Sequence, residues 1–299
     1  MFRRLFAALP LVALLLVASQ VVAEDSSFDS AGVKIHYVVE GEGEPVLLIH
    51  GFTANIQMQW GLPGVISKLK NDYRVIAIDN RGHGKSGKPH DPKQYGPEMV
   101  NDVVRLLDHL NLPKAHIVGY SMGGFMTNYL VNTHPDRVLT ATLGGAGWSR
   151  DNDPNMKFIG DLADSLEAGK GIGPLLERLT PPGQPKPDEQ QIAFVNQMVM
   201  ANNDPKALAA CIRGMAGLTV TEAQLRSNKV PALALIGSQD PLKLGVDEMA
   251  QVMANLRVEV IENTDHMTAF SAPKFIGDLQ EFLGDHSLAP VGAAAGGGK

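Results

Sequence analysis

The sequence predicts an α/β protein: a mostly parallel central sheet flanked by helices, with an inserted helical cap. Three observations lead there. Short apolar runs rich in β-branched residues alternate with longer amphipathic stretches, the pattern of strands joined by helical crossovers. The runs are nearly continuous in apolar character, as strands covered on both faces must be. The alternation then stops over residues 148–229 and resumes afterwards.

Strands are expected over 33–39, 46–50, 74–78, 116–120, 138–143, 232–237 and 257–261, with helices between them. Residues 148–229 carry several helical patterns, a Pro-rich connector at 181–187 and no convincing strand. They read as a cap whose two ends lie between consecutive core strands. Such a cap sits above the strand ends, where open α/β sheets bind ligands. The core is then 24–147 together with 230–286, and the Ala- and Gly-rich residues 287–299 read as a flexible tail. No internal repeat is seen.

Residues 1–23 read as a cleaved signal peptide: Arg3 and Arg4, an apolar run over 5–17, and small residues ending at Ala23. The alternative, an uncleaved anchor, is opposed by the shortness of the run and by Pro10. Arg3, Arg4 and Phe6 also resemble part of a twin-arginine signal. The mature chain is therefore expected to be periplasmic or secreted. Cys211 is the only cysteine, so no internal disulfide can form, and its apolar helical setting at 207–215 suits a buried structural thiol.

Composition narrows the function classes. The 299 residues are 44% hydrophobic and 19% charged, with a formal charge of −6, which suits a globular protein of ordinary core size. Clustered Lys and Arg are missing, so a nucleic-acid partner is not expected. The Gly-rich stretches lack the Lys-Ser/Thr ending or the paired acidic residue of nucleotide loops. No cofactor and no metal are expected, and a small-molecule substrate is the natural partner.

Gly119, Tyr120, Ser121, Met122 and Gly123 join an expected strand to an expected helix. This spacing fits a nucleophile elbow, in which glycines two before and two after a serine let strand and helix approach. The helix start also places backbone N–H groups beside a developing negative charge. A plain Gly-rich turn with a capping serine is the alternative for the motif taken alone. His50, Gly51 and Phe52 end an earlier strand, where the Phe52 N–H could join the Met122 N–H as an oxyanion hole.

A serine nucleophile needs a base and an acid to orient it, in the chain order serine, acid, histidine. Asp240 follows the strand at 232–237 and His266 follows the strand at 257–261, so both emerge from the same sheet edge as Ser121. Glu262 and Asp265 are too close in sequence to His266 to reach its ring from another strand, and 144–147 holds no carboxylate.

These segments resemble the α/β-hydrolase superfamily, in its capped, serine esterase-like branch. The resemblance rests on His50-Gly51-Phe52, the loop at 79–87, the elbow around Ser121, the Asp240 turn, and His266 followed by Pro273 and Phe275. It covers essentially the whole mature chain. It implies ester hydrolysis through Ser121, His266 and Asp240, with an acyl-enzyme. Carbon–carbon bond hydrolases and cofactor-free perhydrolases or haloperoxidases share the branch, and a non-catalytic binding protein is a third possibility. Relatives that use Asp at the elbow are excluded by Ser121. The cap residues Trp148, Met156, Phe158, Phe194, Met198 and Met215 are candidates for the pocket wall.

Overall fold

The computed structural model describes residues 24–150 and 155–288. Its eight strands are β1 (Glu24–Ser30), β2 (Val33–Glu40), β3 (Glu44–Ile49), β4 (Tyr73–Ile78), β5 (Ala115–Tyr120), β6 (Val138–Gly144), β7 (Ala232–Gly237) and β8 (Leu256–Ile261). They form one sheet in the order β1-β2-β4-β3-β5-β6-β7-β8. The pairs β1/β2 and β2/β4 are antiparallel and the rest are parallel. All seven expected strands are present. The eighth, β1, was not expected, because its polar sequence has no apolar alternation; pairing with β2 along its whole length makes it a strand.

The order reverses between β3 and β5. From β3 the chain steps outward to β4, then crosses back to place β5 on the other side of β3. Such a switch point opens a crevice beyond the carboxyl ends of the two strands. Ile49 pairs with Gly119, so the residues after β3 and those after β5, including Ser121, open side by side into it.

Outside the insertion the helices are α1 (Val65–Leu69), α2 (Pro97–His109) and α3 (Met122–Thr133), then α9 (Lys243–Ala250) and α10 (Pro273–Asp285). The intervening α4 (Asn155–Glu167), α5 (Gly173–Arg178), α6 (Glu189–Met200), α7 (Pro205–Met215) and α8 (Glu222–Ser227) all lie between β6 and β7. Two starts are readable as capping boxes, Asp188 with Gln191 at α6 and Thr221 with Gln224 at α8. Alternate residues of the strands feed two cores: Leu47, Ile49, Ile76 and Ile117 pack on one face, Val46, Leu48, Val75 and Val118 on the other.

The insertion has an apolar cluster of its own, including Leu162, Leu166, Leu208 and Ile212, and docks through α7. A Cβ on Gly96, which has φ +64°, would lie 2.1 Å from the Gly214 carbonyl, so only glycine allows this approach. Cys211 is fully buried there, its Sγ 3.7 Å from Met122 Sδ and 3.8 Å from Met99 Sδ. Burial pushes its thiol pKa well up, so it packs as an apolar group. The expected leader at 1–23 lies outside the described residues. Of the expected tail, 287 and 288 are described, and Ser287 Oγ donates to Glu44 at 2.7 Å.

One buried ion pair joins β1, the loop after β4, and α2. Arg81 Nε and Nη2 donate to Asp102 at 2.6 and 2.5 Å, and Ser30 Oγ donates to the same carboxylate at 2.5 Å. Both charged side chains are about 2% exposed. Asp102→Ala leaves the guanidinium buried without its partner and should cost about 3–5 kcal/mol. The double change Arg81→Met with Asp102→Leu should cost far less, because no lone charge remains. Guanidinium denaturation measures both; a loss under about 1 kcal/mol for Asp102→Ala would contradict this role.

Candidate active site

Between β5 and α3 the backbone turns at Ser121 with φ +54° and ψ −116°, a left-handed conformation that costs a non-glycine residue roughly 1–3 kcal/mol. Its surroundings enforce it. A Cβ on Gly119 would lie 2.0 Å from the Gly123 carbonyl, and one on Gly123 would lie 2.1 Å from the Ile49 carbonyl. The Ser121 N–H donates to Gly144 O at 2.8 Å, and Ser121 O accepts from Phe125 N–H at 3.0 Å. The serine thus sits where β3, β5, β6 and α3 meet.

Ser121, His266 and Asp240 come together although they are distant in sequence. Asp240 Oδ2 lies 2.8 Å from His266 Nδ1, and His266 Nε2 lies 2.9 Å from Ser121 Oγ. The Asp240 and His266 side chains are 0% and 4% exposed. A carboxylate can only accept, so the Nδ1–H points at Asp240 and the bare Nε2 accepts the serine hydroxyl. The other Asp240 oxygen accepts from the Leu242 N–H at 2.8 Å. The two turns are tied together as well: Gln239 N–H donates to Thr264 O at 3.0 Å, and Ser238 N–H to Ile261 O at 3.1 Å. Asp265 is occupied in its own turn, accepting from the Met267 and Thr268 N–H groups.

Tyr120, which precedes the serine, had drawn no attention in the sequence. Its hydroxyl donates to the His266 carbonyl at 2.7 Å, and its ring lies 5.5 Å from the imidazole. A buried Tyr placed directly before a candidate nucleophile is the signal that could have found it. A serine hydroxyl held on an imidazole that faces a buried carboxylate can give up its proton as it attacks a carbonyl.

The turn after β3 is held by its own histidine. His50 is completely buried, with Nδ1 2.7 Å from Gly51 O and Nε2 accepting from Asn80 N–H at 3.0 Å. These partners define a neutral ring with its proton on Nδ1, and burial lowers its pKa accordingly. Gly51 O also accepts from Ala54 N–H at 3.3 Å. A planar trans peptide points its C=O and N–H in opposite directions, so fixing Gly51 O fixes the direction of Phe52 N–H. Neither Phe52 N–H nor Met122 N–H has an acceptor among the described residues, and both residues line the same cavity as Ser121.

That cavity holds about 490 Å³. Core residue Phe125 and insertion residues Phe158, Ile159, Leu175, Met215 and Leu218 give it apolar walls, while Arg150, Arg178 and Glu248 supply charge. Trp148 is a fixed wall: its backbone N–H donates to Gly245 O at 3.2 Å, its Nε1–H to Val220 O at 2.7 Å, and the Arg150 guanidinium lies 4.3 Å from the ring centroid. Of the cap residues expected at a pocket wall, Trp148, Phe158 and Met215 line this cavity. Phe194 and Met198 do not: they are 64% and 56% exposed on α6, four residues apart on a stripe that turns to solvent. The Met156 side chain lies outside the described residues. Among the described residues, no group of three or more His, Cys, Asp and Glu could hold a metal ion, and no helix is long and apolar enough to cross a membrane.

Beside this turn His83 is fully buried, its ring edge-on to His50 and Phe52 at 5.3 and 5.7 Å. Burial pushes its pKa from 6.5 down to about 3. The unfolded chain therefore binds the proton first as pH falls. Stability contributed by this neutral imidazole is complete above about pH 6.5 and is lost on acidification toward pH 3, at up to about 1.4 kcal/mol per pH unit. His83→Asn should flatten the slope of unfolding free energy between about pH 6.5 and 5, above the range where carboxylates titrate. Chemical denaturation across that range measures it, and an unchanged slope would contradict the assignment.

Residues 44–169 match the family model of the alpha/beta hydrolase fold. The chain is similar to 3-oxoadipate enol-lactonase 2 of Acinetobacter baylyi, 25% identical over 253 residues, covering 81% of this chain and 90% of that protein. It is 28% identical over 250 residues to the (E)-2-((N-methylformamido)methylene)succinate hydrolase of the same organism, covering 82% and 92%. Among solved structures, the enol-lactonase of Burkholderia xenovorans LB400 superposes with a TM-score of 0.72 at 22% identity, over 86% of this chain and 99% of that one. At that identity the likeness speaks for the fold. With a sheet of this order and a match to the family model that spans the elbow, the chain has the alpha/beta hydrolase fold.

Proposed function

We propose that this protein is a serine hydrolase that cleaves a small to medium apolar carboxylic ester, lactones included, through Ser121, His266 and Asp240. The observation that carries the reading is the pair of hydrogen bonds from Asp240 to His266 and from His266 to Ser121, at 2.8 and 2.9 Å, on the wall of a largely apolar cavity. The enol-lactonase relative supports a cyclic ester as one form of the substrate. The signal-like residues 1–23 support action outside the cytoplasm.

In this reading His266 Nε2 takes the hydroxyl proton while Ser121 Oγ bonds to the ester carbonyl carbon. The carbonyl oxygen becomes an oxyanion facing the Phe52 and Met122 N–H groups, at the positive end of α3. As the tetrahedral intermediate collapses, the carbon–oxygen bond to the leaving alcohol breaks and that oxygen takes the proton from His266. Water then gives a proton to His266 and attacks the acyl group. Carboxylic acid departs as Ser121 recovers its proton. Asp240 keeps the imidazole in the required tautomer and stabilises its cationic form.

Steady-state hydrolysis of p-nitrophenyl esters of graded chain length, beside a lactone series, tests this. Ser121→Ala should lower kcat by at least about a thousandfold on every accepted ester, leaving only oxyanion and binding effects. Full activity in that variant would overturn the assignment.

A further inference from the structure

We propose that Asn203, in the connection between α6 and α7, is a positioning residue for the oxyanion turn, so that seating the helical insertion completes the hole. This rests on the serine-hydrolase reading above. The observation behind it is a strained residue held from outside its own loop. Thr53, directly after Phe52, has φ +64°. A β-branched residue is a poor occupant of the left-handed region, and left to itself it relaxes toward extended or right-handed backbone.

Both sides of the turn are restrained. On the Gly51 side, His50 and Ala54 hold the peptide whose N–H belongs to Phe52. On the Thr53 side, Asn203 Nδ2 donates to Thr53 O at 3.1 Å, across 150 residues of sequence. The same amide nitrogen donates to Val199 O at 3.0 Å in the last turn of α6, which locks the side chain. The next residue, Asp204, accepts from the Lys206 and Ala207 N–H groups at the start of α7 and pairs with His90 of the core at 2.8 Å. Asn203 therefore stands on an anchored backbone. The Phe52 ring packs against the insertion's own apolar cluster, so the residue that carries the oxyanion donor is held by the insertion on two sides.

The consequence is a link between closure and chemistry. When the insertion shifts to admit substrate, the Thr53 carbonyl loses its donor and the turn can relax, carrying the Phe52 N–H out of aim. When the insertion reseats, the donor is aimed again, as closure completes the catalytic arrangement in other enzymes. Asn203 does not touch the reacting atoms; it acts through Thr53.

The test uses Asn203→Asp, which keeps the shape and removes the donor, and Asn203→Ala. In both, kcat for p-nitrophenyl butyrate should fall about ten- to a hundredfold while KM stays within about twofold. The dissociation constant of an alkylboronic acid, which forms a tetrahedral adduct at the serine, should rise by the same factor as kcat/KM falls. A residue that only seats the insertion would instead raise KM or lower Tm with kcat unchanged, and that result overturns the proposal, as does unchanged boronate affinity. If the wild-type protein hydrolyses no ester and its Ser121 resists a fluorophosphonate, the parent reading fails and this one with it. An active, labelled wild type beside indifferent Asn203 variants refutes this inference alone.

Discussion

The backbone of Ser121 is the constraint on which the site depends. Its φ of +54° is held because strand and helix approach so closely that Cβ atoms at positions 119 and 123 would lie 2.0 and 2.1 Å from backbone oxygens. Sheet pairing on one side and the α3 helix on the other offset a local strain of roughly 1–3 kcal/mol. The same geometry lifts the hydroxyl out of the strand end. It also sets the first residue of α3 beside the turn after β3, because β3 and β5 are neighbours at the point where the sheet order reverses.

Around this fixed point the remaining groups are carried on pairs of elements rather than on single loops. Asp240 and His266 follow adjacent strands, β7 and β8, and the turns that hold them are hydrogen-bonded to each other. Tyr120 ties the His266 backbone to the strand that bears the serine. On the other side, Asp79 accepts from Ile56 N–H and Lys85 N–H at 2.9 Å each, joining the end of the turn after β3 to the loop after β4. In that loop a Cβ on Gly84 would lie 2.2 Å from the Asp79 carboxylate. Through Asp79, the loop at 79–87 thus braces the turn after β3.

Most of the fold was legible because the strands are buried on both faces and are therefore written as apolar runs. Strand β1 was not, since Glu24, Asp25, Ser26 and Ser27 have no strand pattern of their own and owe their conformation to pairing with β2. At the site, Ser121, Asp240 and His266 were readable because a nucleophile turn has a fixed spacing and its partners a fixed chain order. Pocket walls were less readable. Helical spacing marks an apolar stripe without saying whether it faces inward, and on α6 the stripe of Phe194 and Met198 faces solvent. Tyr120 and Asn203 escaped because their partners lie 146 and 150 residues away, and only the folded chain brings such polar pairs together.

Reaction of the purified protein with a fluorophosphonate, followed by peptide mass mapping, measures most directly whether Ser121 is an activated nucleophile. The account predicts one adduct per chain, on Ser121, formed far more slowly once His266 is replaced by Ala. A protein left unmodified under conditions that label other serine hydrolases, or an adduct on a different serine, would contradict it.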